Sequence, residues 1–533
     1  MLCVALAMPL DAQATRLIDP LDPAYQDLEL LVDLGLVDHG ALGQRPLSRA
    51  EFARIIDSAS HSLSLSGGAP TFAEQLLTSL RRRLDLADTG SARGRLAPRF
   101  VPLHSVTLDL TKTDQLTRLI PRQNGIGQID ARLNTLLSNR QGRFLSTGSN
   151  ALLESSHGLE TKYVALWLTP QASWRLPNDS SGRADLRLQE LQLRFLFRNA
   201  ALDVGREYLM SSQGRDVGLL NSNNSPPLDL IKLSSESPFY FPWVFRQLGP
   251  TRASVYYADL GGDQNFPHPY AFSYHATIAP TARLELGATV YTKSGGHGAP
   301  RATATARLID LLPFLDASKY NYVLGTRGDF QFSDHYAGID GRLRVPSIGA
   351  NLFWEVLLND FDVRRLTSVL WEDAGHVVGV ELPRLSESGR LRTSLEYHHT
   401  GIRFYEHHQF LSGQTIHHAL MGDPLGPDAQ GAYANVDWYV SARRRLGVQV
   451  ALERRSNDQY ALRPGPNFGF DRIAVRPKEW QARAVTTWRL LPDARQLGGT
   501  LQLGYERTRN FEFVERAGRN GFLGRVTMHY RFQ

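Results

Sequence analysis

The hydrophobic pattern of the chain changes period once. Over residues 15 to about 95, apolar residues return at helical spacing: Tyr25, Leu28, Leu31 and Val32, then Phe52, Ile55 and Ile56, then Leu76, Leu77, Leu80 and Leu84. Steps of three and four residues put such positions on one helix face. Gly35 follows the first stripe, Ser48-Arg49-Ala50-Glu51 precedes the second, and Thr71-Phe72-Ala73-Glu74 precedes the third. Both four-residue motifs read as capping boxes, in which a hydroxyl and a carboxylate satisfy free N–H groups of the first turn. The pattern predicts a small helical bundle over residues 15–95.

From about Arg99 the period becomes two and stays there. Leu191, Leu193, Phe195 and Phe197 alternate with Gln192 and Arg194; Tyr270, Phe272, Tyr274, Ala276 and Ile278 with Ser273, His275 and Thr277; Leu501, Leu503 and Tyr505 with Gln502 and Glu506. A period of two gives a strand with two different faces. The runs are about ten residues long, the length a tilted strand needs to cross a bilayer. Short turns such as Ala279-Pro280-Thr281 and Leu491-Pro492-Asp493 join some runs, and much longer segments separate others. Short turns alternating with long loops are the pattern of outer-membrane barrels. The last run, Gly521 to Phe532, has Phe522, Val526, Met528, Tyr530 and Phe532 on one face and Arg525, Thr527, His529 and Arg531 on the other. By itself it also fits an edge strand of a soluble sandwich; ending an array of such runs, it resembles the insertion signal of bacterial barrels. The predicted fold class is mainly β: a large antiparallel transmembrane barrel of about 18 strands over residues 96–533, closure favouring the even number, with the helical bundle as a plug or docking module at its periplasmic mouth. Three segments are long enough to be functional loops: about 206–250, 293–334 with a helix-like piece at Ala304–Leu312, and 401–431.

Composition refines this picture. Among the 533 residues no run of 18 is apolar, so no helix spans a bilayer, a test that barrels escape because only alternate residues face lipid. The net charge of +6 suits an anionic partner such as an acidic glycan or lipopolysaccharide. The arginines are scattered along strands, which is not a nucleic-acid signature. The one cysteine, Cys3, lies in a short apolar run ending in Ala12-Gln13-Ala14. That is a cleavage pattern, so residues 1–14 read as a signal peptide and the mature chain needs no disulfide.

The candidate chemistry lies in the loops. Gly214 to Leu228 holds Asp216, Asn221, Asn223 and Asn224, and Ser237 to Trp243 follows with Tyr240 and Trp243. Amide side chains offer donors and acceptors that suit sugar hydroxyls, and aromatics offer flat faces for sugar C–H groups. A turn cluster followed by an interfacial aromatic belt accounts for the same residues. The pairs His398-His399, His407-His408 and His417-His418 raise the question of zinc or copper. Neighbours on a strand face opposite ways, and no cysteine or tight carboxylate frame accompanies them, so loop packing or glycan hydrogen bonding is the better reading and no metal or cofactor is expected. No nucleophile motif, phosphate loop, dinucleotide fingerprint or zinc-protease motif is present, so no enzyme is expected.

One ordered set of segments is more specific than any of its parts: Pro46 to Phe52, Gly214 to Leu228, Leu248-Gly249-Pro250, Thr292 to Gly296, Leu308 to Leu312, Tyr405 to Phe410 with Gly413, and Met421 to Asp428. Spread over nearly the whole chain, it resembles the capsule assembly Wzi family of outer-membrane barrels. The resemblance implies a periplasmic helical bundle, an approximately 18-stranded barrel sealed by its loops, and lectin-like attachment of capsular or extracellular polysaccharide. Such a barrel also meets outer-membrane lipid, lipopolysaccharide and the outer-membrane assembly machinery. The glycan-binding expectation falls on Asp216, Asn221, Asn223, Asn224, Tyr240, Trp243, His407, His408 and Asp428. The alternative is an open porin for small or anionic solutes.

Overall fold

The period of two becomes the wall of a cylinder. The computed structural model closes eighteen antiparallel strands into one barrel. They are β1 (Arg99–Thr113), β2 (Gly148–Glu160), β3 (Val164–Pro177), β4 (Arg183–Phe197), β5 (Ala200–Glu207), β6 (Leu228–Ser235), β7 (Thr251–Asp259), β8 (Tyr270–Thr281), β9 (Leu284–Ser294), β10 (Ser333–Val345), β11 (Ala350–Asn359), β12 (Ala374–Leu382), β13 (Leu391–Thr400), β14 (Ala429–Tyr439), β15 (Arg444–Arg455), β16 (Glu479–Leu490), β17 (Leu497–Arg509) and β18 (Gly518–Arg531). The structure describes residues 13–37, 42–65, 71–86, 98–121, 129–178, 181–215, 218–311, 322–323, 326–327, 332–359, 366–386, 388–463, 469–493 and 495–532. Most of the expected leader therefore lies outside the described residues. Ala14 is buried against Val101, Ala165, Trp167, Leu196 and Ala201.

β1 closes the cylinder on β18, with Leu108 opposite Met528 and Leu110 opposite Val526. Closure leaves no wall edge with unpaired N–H and C=O groups, which lipid could not satisfy. The faces of β18 fall as the alternation predicts. Phe522, Val526, Met528 and Tyr530 are exposed on the outside. Arg525 pairs with Asp109, and the Thr527 hydroxyl donates to the same carboxylate at 3.0 Å, both across the inner face.

At one end of the cylinder most turns are short, at 161–163, 282–283, 346–349 and 440–443; at the other end the connections are long, notably 114–147, 208–227, 295–332, 401–428 and 456–478. Three helices sit at the short-turn end: α1 (Ala24–Asp33), α2 (Arg49–Leu65) and α3 (Thr71–Arg83). Tyr25, Leu28, Leu31, Phe52, Ile55, Ile56, Leu76 and Leu80 form their common core, which reaches Tyr439 of β14. Their polar sides meet the polar inner wall. Asp27 accepts from Arg445 at 2.5 and 2.7 Å, Arg49 donates to Glu160 at 2.5 Å, and Asn351 donates to Asp33 at 2.9 Å. Only half of the first capping box forms. The Glu51 N–H donates to the Ser48 hydroxyl at 3.0 Å, but the Glu51 carboxylate turns to Arg54, Arg252 and the Ser237 hydroxyl instead of closing the box.

The expected single loop over 206–250 is corrected by the structure. β6 crosses the wall in its middle, paired with β5 and β7. Alternation failed to reveal it because both faces mix apolar and polar residues: Leu228, Leu230 and Lys232 point inward and are buried, while Asp229, Ile231 and Leu233 are exposed outside. The inward leucines meet a second core that fills the lumen at the long-loop end. Ile120, Ile129 and Leu133, Leu219 and Leu220, and Phe404, Tyr405, Ile416, Leu420 and Met421 come from three loops and pack on Tyr256, Tyr291, Tyr336, Phe353 and Leu357 of the wall.

Candidate functional site

A loop buried in a lumen must satisfy its own backbone groups, because no water reaches them. The polar residues of 208–227 and 401–428 do this for each other. The Tyr405 hydroxyl donates to the Leu219 carbonyl at 2.6 Å and accepts from the Asp423 N–H at 2.7 Å. The Ser222 hydroxyl donates to the Gly422 carbonyl at 2.6 Å, and the Asn224 amide to the Leu420 carbonyl at 3.0 Å. The two chains approach so closely here that a Cβ on Gly422 would stand 2.0 Å from the Leu219 oxygen. The loop 260–269 joins them: Lys293 of β9 donates to Gln264 at 2.9 Å and to the Gly413 carbonyl at 2.6 Å, and the Asn265 N–H donates to the Ser412 hydroxyl at 2.6 Å.

This architecture divides the residues that the sequence proposed. Asn221 and Asn223 are each 3 % exposed, and the Asn221 amide donates to the Tyr256 hydroxyl at 3.3 Å. With the half-buried Asn224 they belong to the packed interior, not to a surface that a polymer could reach. Tyr240 and Trp243 lie at the opposite mouth, beside the helices, because β6 separates them from the asparagines. Trp243 opens a short 3-10 helix, Trp243–Leu248, and is 90 % exposed. The asparagine run and the aromatic run therefore cannot form one site. Asp216 lies outside the described residues.

His407, His408 and Asp428 stay at the long-loop mouth. His407 is buried, and its Nδ1 accepts from the N–H groups of Gln409 and Phe410, both at 3.2 Å. Burial first, then the nearby His408, Lys293 and His335 side chains, hold its pKa well below the usual imidazole value. A neutral ring is the form whose Nδ1 can accept. His408 is exposed, its ring 4.5 Å from that of His407. Asp428 is almost buried and accepts from Arg472 at 2.7 Å. Arg472 also donates to Asp458 at 2.8 Å, and Lys478 pairs with the same carboxylate. Against the upward push of burial, Lys478, the Val475 N–H and Arg472 hold Asp458 at about 2. Asp428 is thus an ion-pair anchor for the paired strands Gln459–Arg463 and Gly469–Ile473.

The exposed rim of this mouth carries a feature the sequence did not reveal. Three aspartate–histidine pairs stand on it: Asp259 with His268 at 2.9 Å, Asp263 with His417 at 2.9 Å, and Asp130 with His418 at 3.0 Å. All six side chains are between 36 and 53 % exposed. The histidine pair 417–418 was visible in the sequence; its partners lie 154 and 288 residues away and were not. With His408, Asn265 and Gln409 the pairs form a polar surface of donors and acceptors over the loop core. Among the described residues no three His, Cys, Asp or Glu side chains are grouped to hold a metal ion.

The sequence profile of the family described as capsule assembly protein Wzi matches residues 121–521. Among solved structures the chain is similar to Wzi of Escherichia coli, described as an outer membrane protein involved in group 1 capsule assembly and a carbohydrate-binding β-barrel. The TM-score is 0.66 at 15 % identity, over 96 % of this chain and 99 % of that one. OprD of Pseudomonas aeruginosa is similar at a TM-score of 0.43 and 9 % identity, over 81 % of this chain and 96 % of that one. DcaP, an outer membrane channel of Acinetobacter baumannii, gives 0.34 and 8 % over 82 % of this chain and 98 % of that one. A sequence search of curated proteins returns no match.

Proposed function

The chain belongs to the capsule assembly protein Wzi family, and from that premise we propose that it is a non-enzymatic outer-membrane barrel that binds capsular or extracellular polysaccharide on its long-loop mouth. The observation that carries this reading is the apolar core inside the lumen. A conduit needs a wet path, whereas three loops here pack their leucines, phenylalanines and tyrosines across it. What remains for function at that end is a surface, and the surface is polar. The helical bundle lies on the periplasmic side in this reading, where the turns are short. Lipid and lipopolysaccharide meet the outward aromatic and aliphatic side chains.

The glycan contacts move from the asparagine run to the rim. His268, His408, His417 and His418, with Asp130, Asp259 and Asp263, present hydrogen-bonding groups to passing sugar hydroxyls. A neutral hydrogen bond contributes roughly 0.5–1.5 kcal/mol net. One contact is therefore weak, and retention comes from a long polymer touching many barrels at once. Replacing the four histidines with alanine is expected to leave the barrel assembled and to shift polysaccharide from the cell-bound to the released fraction, at unchanged total synthesis. Normal retention by an assembled quadruple variant would remove the rim from the site. Steady single-channel conductance by the wild-type protein would return the reading to an open porin. A cleaved leader belongs to the same proposal; N-terminal sequencing of membrane-extracted protein distinguishes a start at Thr15 from one that retains the buried Ala14.

A further inference from the structure

At the helix end of the lumen, between the segment Arg16–Pro23 and the walls of β1, β2, β3, β4 and β18, lies a cavity of about 380 Å³. One corner of it gathers more positive charge than it neutralises. Arg49 and Arg99 share Glu160, at 2.5 and 3.1 Å, and Arg99 also pairs with Asp85. The remaining oxygen of Glu160 accepts the Arg16 backbone N–H at 2.9 Å, so this one carboxylate serves Arg49, Arg99 and the Arg16 backbone at once.

Those two arginines face the cavity with donors to spare. Arg531 is 7 % exposed, and its Nε and Nη1 are buried without a hydrogen-bond partner; the Nε of Arg16 is in the same condition. His104, 1 % exposed, has no partner on either ring nitrogen and stands edge-on to Trp167 at 5.3 Å. The Arg16 guanidinium lies 5.0 Å from the same indole. Burial, then the neighbouring charges of Arg531 and Arg99, depress the Arg16 pKa to about 9. Most of the acidic residues that line the cavity hold other donors. Glu154 accepts from Arg143 at 2.8 Å, Asp109 pairs with Arg525, Asp19 accepts from Gln141 at 2.5 Å and Glu190 from the Thr169 hydroxyl at 3.2 Å. Asp22 accepts from the Ala24 N–H at 2.8 Å and is the acidic neighbour of Arg531.

Buried donors on charged groups are costly to leave unmade, and a cluster of them around free space is the signature of a missing acceptor. We propose that this corner is an oxyanion-binding site, in which Arg16, His104 and Arg531 hold the carboxylate or phosphate of a small polar molecule such as a uronic acid or a sugar phosphate. The cavity exceeds what a bare ion needs and lies in the size range of small-ligand pockets. The site is separate from the rim and does not rest on the rim's role.

The test is calorimetric titration of the purified full-length barrel in detergent with sodium phosphate, sodium glucuronate and glucose, at fixed ionic strength. Saturable binding of phosphate or glucuronate, with none of glucose, is expected. Which of the two binds separates a phosphate ester from a carboxylate as the natural group. Arg16→Gln and Arg531→Gln should each weaken binding about tenfold or more, the loss of a charge-assisted hydrogen bond. Arg206→Gln, which breaks the exposed pair with Asp229, should leave it unchanged. Because the arginine donors are unpartnered, both variants should assemble without ligand; His104→Phe provides a third, uncharged probe of the same corner. Absence of saturable anion binding by the wild-type barrel, or undiminished binding by the assembled variants, overturns the proposal.

Discussion

The two ends of the lumen are both filled, but by opposite means. At the helix end the filling has its own hydrophobic core, and it meets the wall through buried charges: Asp27 with Arg445, Arg49 with Glu160, Glu51 with Arg252. At the long-loop end three loops share their main core with the wall. A bundle that buries its apolar faces internally has only polar surface left to offer a polar lumen. Loops too irregular to bury anything alone must borrow apolar wall residues, which is why β6, β7, β9, β10 and β11 carry inward Leu230, Tyr256, Tyr291, Tyr336, Phe353 and Leu357. Buried ion pairs orient the plug but add little net stability over an apolar equivalent, whereas the shared core stabilises outright.

The largest effects should separate these mechanisms. Phe404→Ala removes a fully buried ring from the loop core and should cost about 3–5 kcal/mol. Arg445→Ala leaves Asp27 still paired with Arg83 and should cost less than the roughly 3–5 kcal/mol of leaving a buried charge unpaired. The two differ in where they loosen the protein. Hydrogen exchange should rise in 401–428 for the first and in α1 for the second, and a rise at both ends in either variant would show that the two fillings are not independent.

Next in size is the outer face of the wall, common to both ends. A charge on a barrel's lipid face costs about 2–4 kcal/mol at the midplane. Met528→Arg should impair assembly strongly and Thr527→Arg, directed inward, only mildly. Equal heat-modifiable folding of the two would reverse the face assignment of β18.

Acid should sharpen the contrast further, because one carboxyl at each end is shifted in the opposite direction. Burial, with Glu381 adding repulsion, raises Asp33 of α1 to about 6. A raised acid contributes stability that is full below its ordinary value near 3.8 and is lost as pH climbs through 6, an effect on the order of 2 kcal/mol. Asp458, held at about 2, contributes stability that is present above 3.8 and is lost as pH falls toward 2. Lowering the pH from 7 to 4.5 should therefore tighten the docking of α1 and leave the strand pair Gln459–Arg463 and Gly469–Ile473 unchanged. Limited proteolysis at the two pH values reads this, and Asp33→Asn should abolish the helix-end response.

The smallest effect is local. Ser48→Ala removes the acceptor of the Glu51 N–H and should cost about 1 kcal/mol, measurable by chemical unfolding. Full replacement of the missing half of the box by Arg54, Arg252 and Ser237 predicts that Glu51→Gln will cost more than the serine change.

The sequence alone determined what repeats at short range. Helical stripes around Leu28, Phe52 and Leu76, the two faces of β18, and the barrel class follow from residues within a few positions of one another, where side-chain direction is set by the backbone period. Family resemblance, carried by ordered segments from Pro46 to Asp428, extended that to a sealed barrel. Tertiary structure decided which end each loop occupies. In an up-and-down barrel that assignment depends on counting every strand, and one strand with aliphatic residues on both faces, β6, sends Asn221 and Trp243 to opposite mouths. It also decided that the asparagine run is interior, because the groups it satisfies, such as the Leu420 carbonyl, arrive from a loop nearly two hundred residues away. The rim pairs were hidden for the same reason: a histidine shows itself in a sequence, but the carboxylate it faces is chosen only when the chain closes on itself.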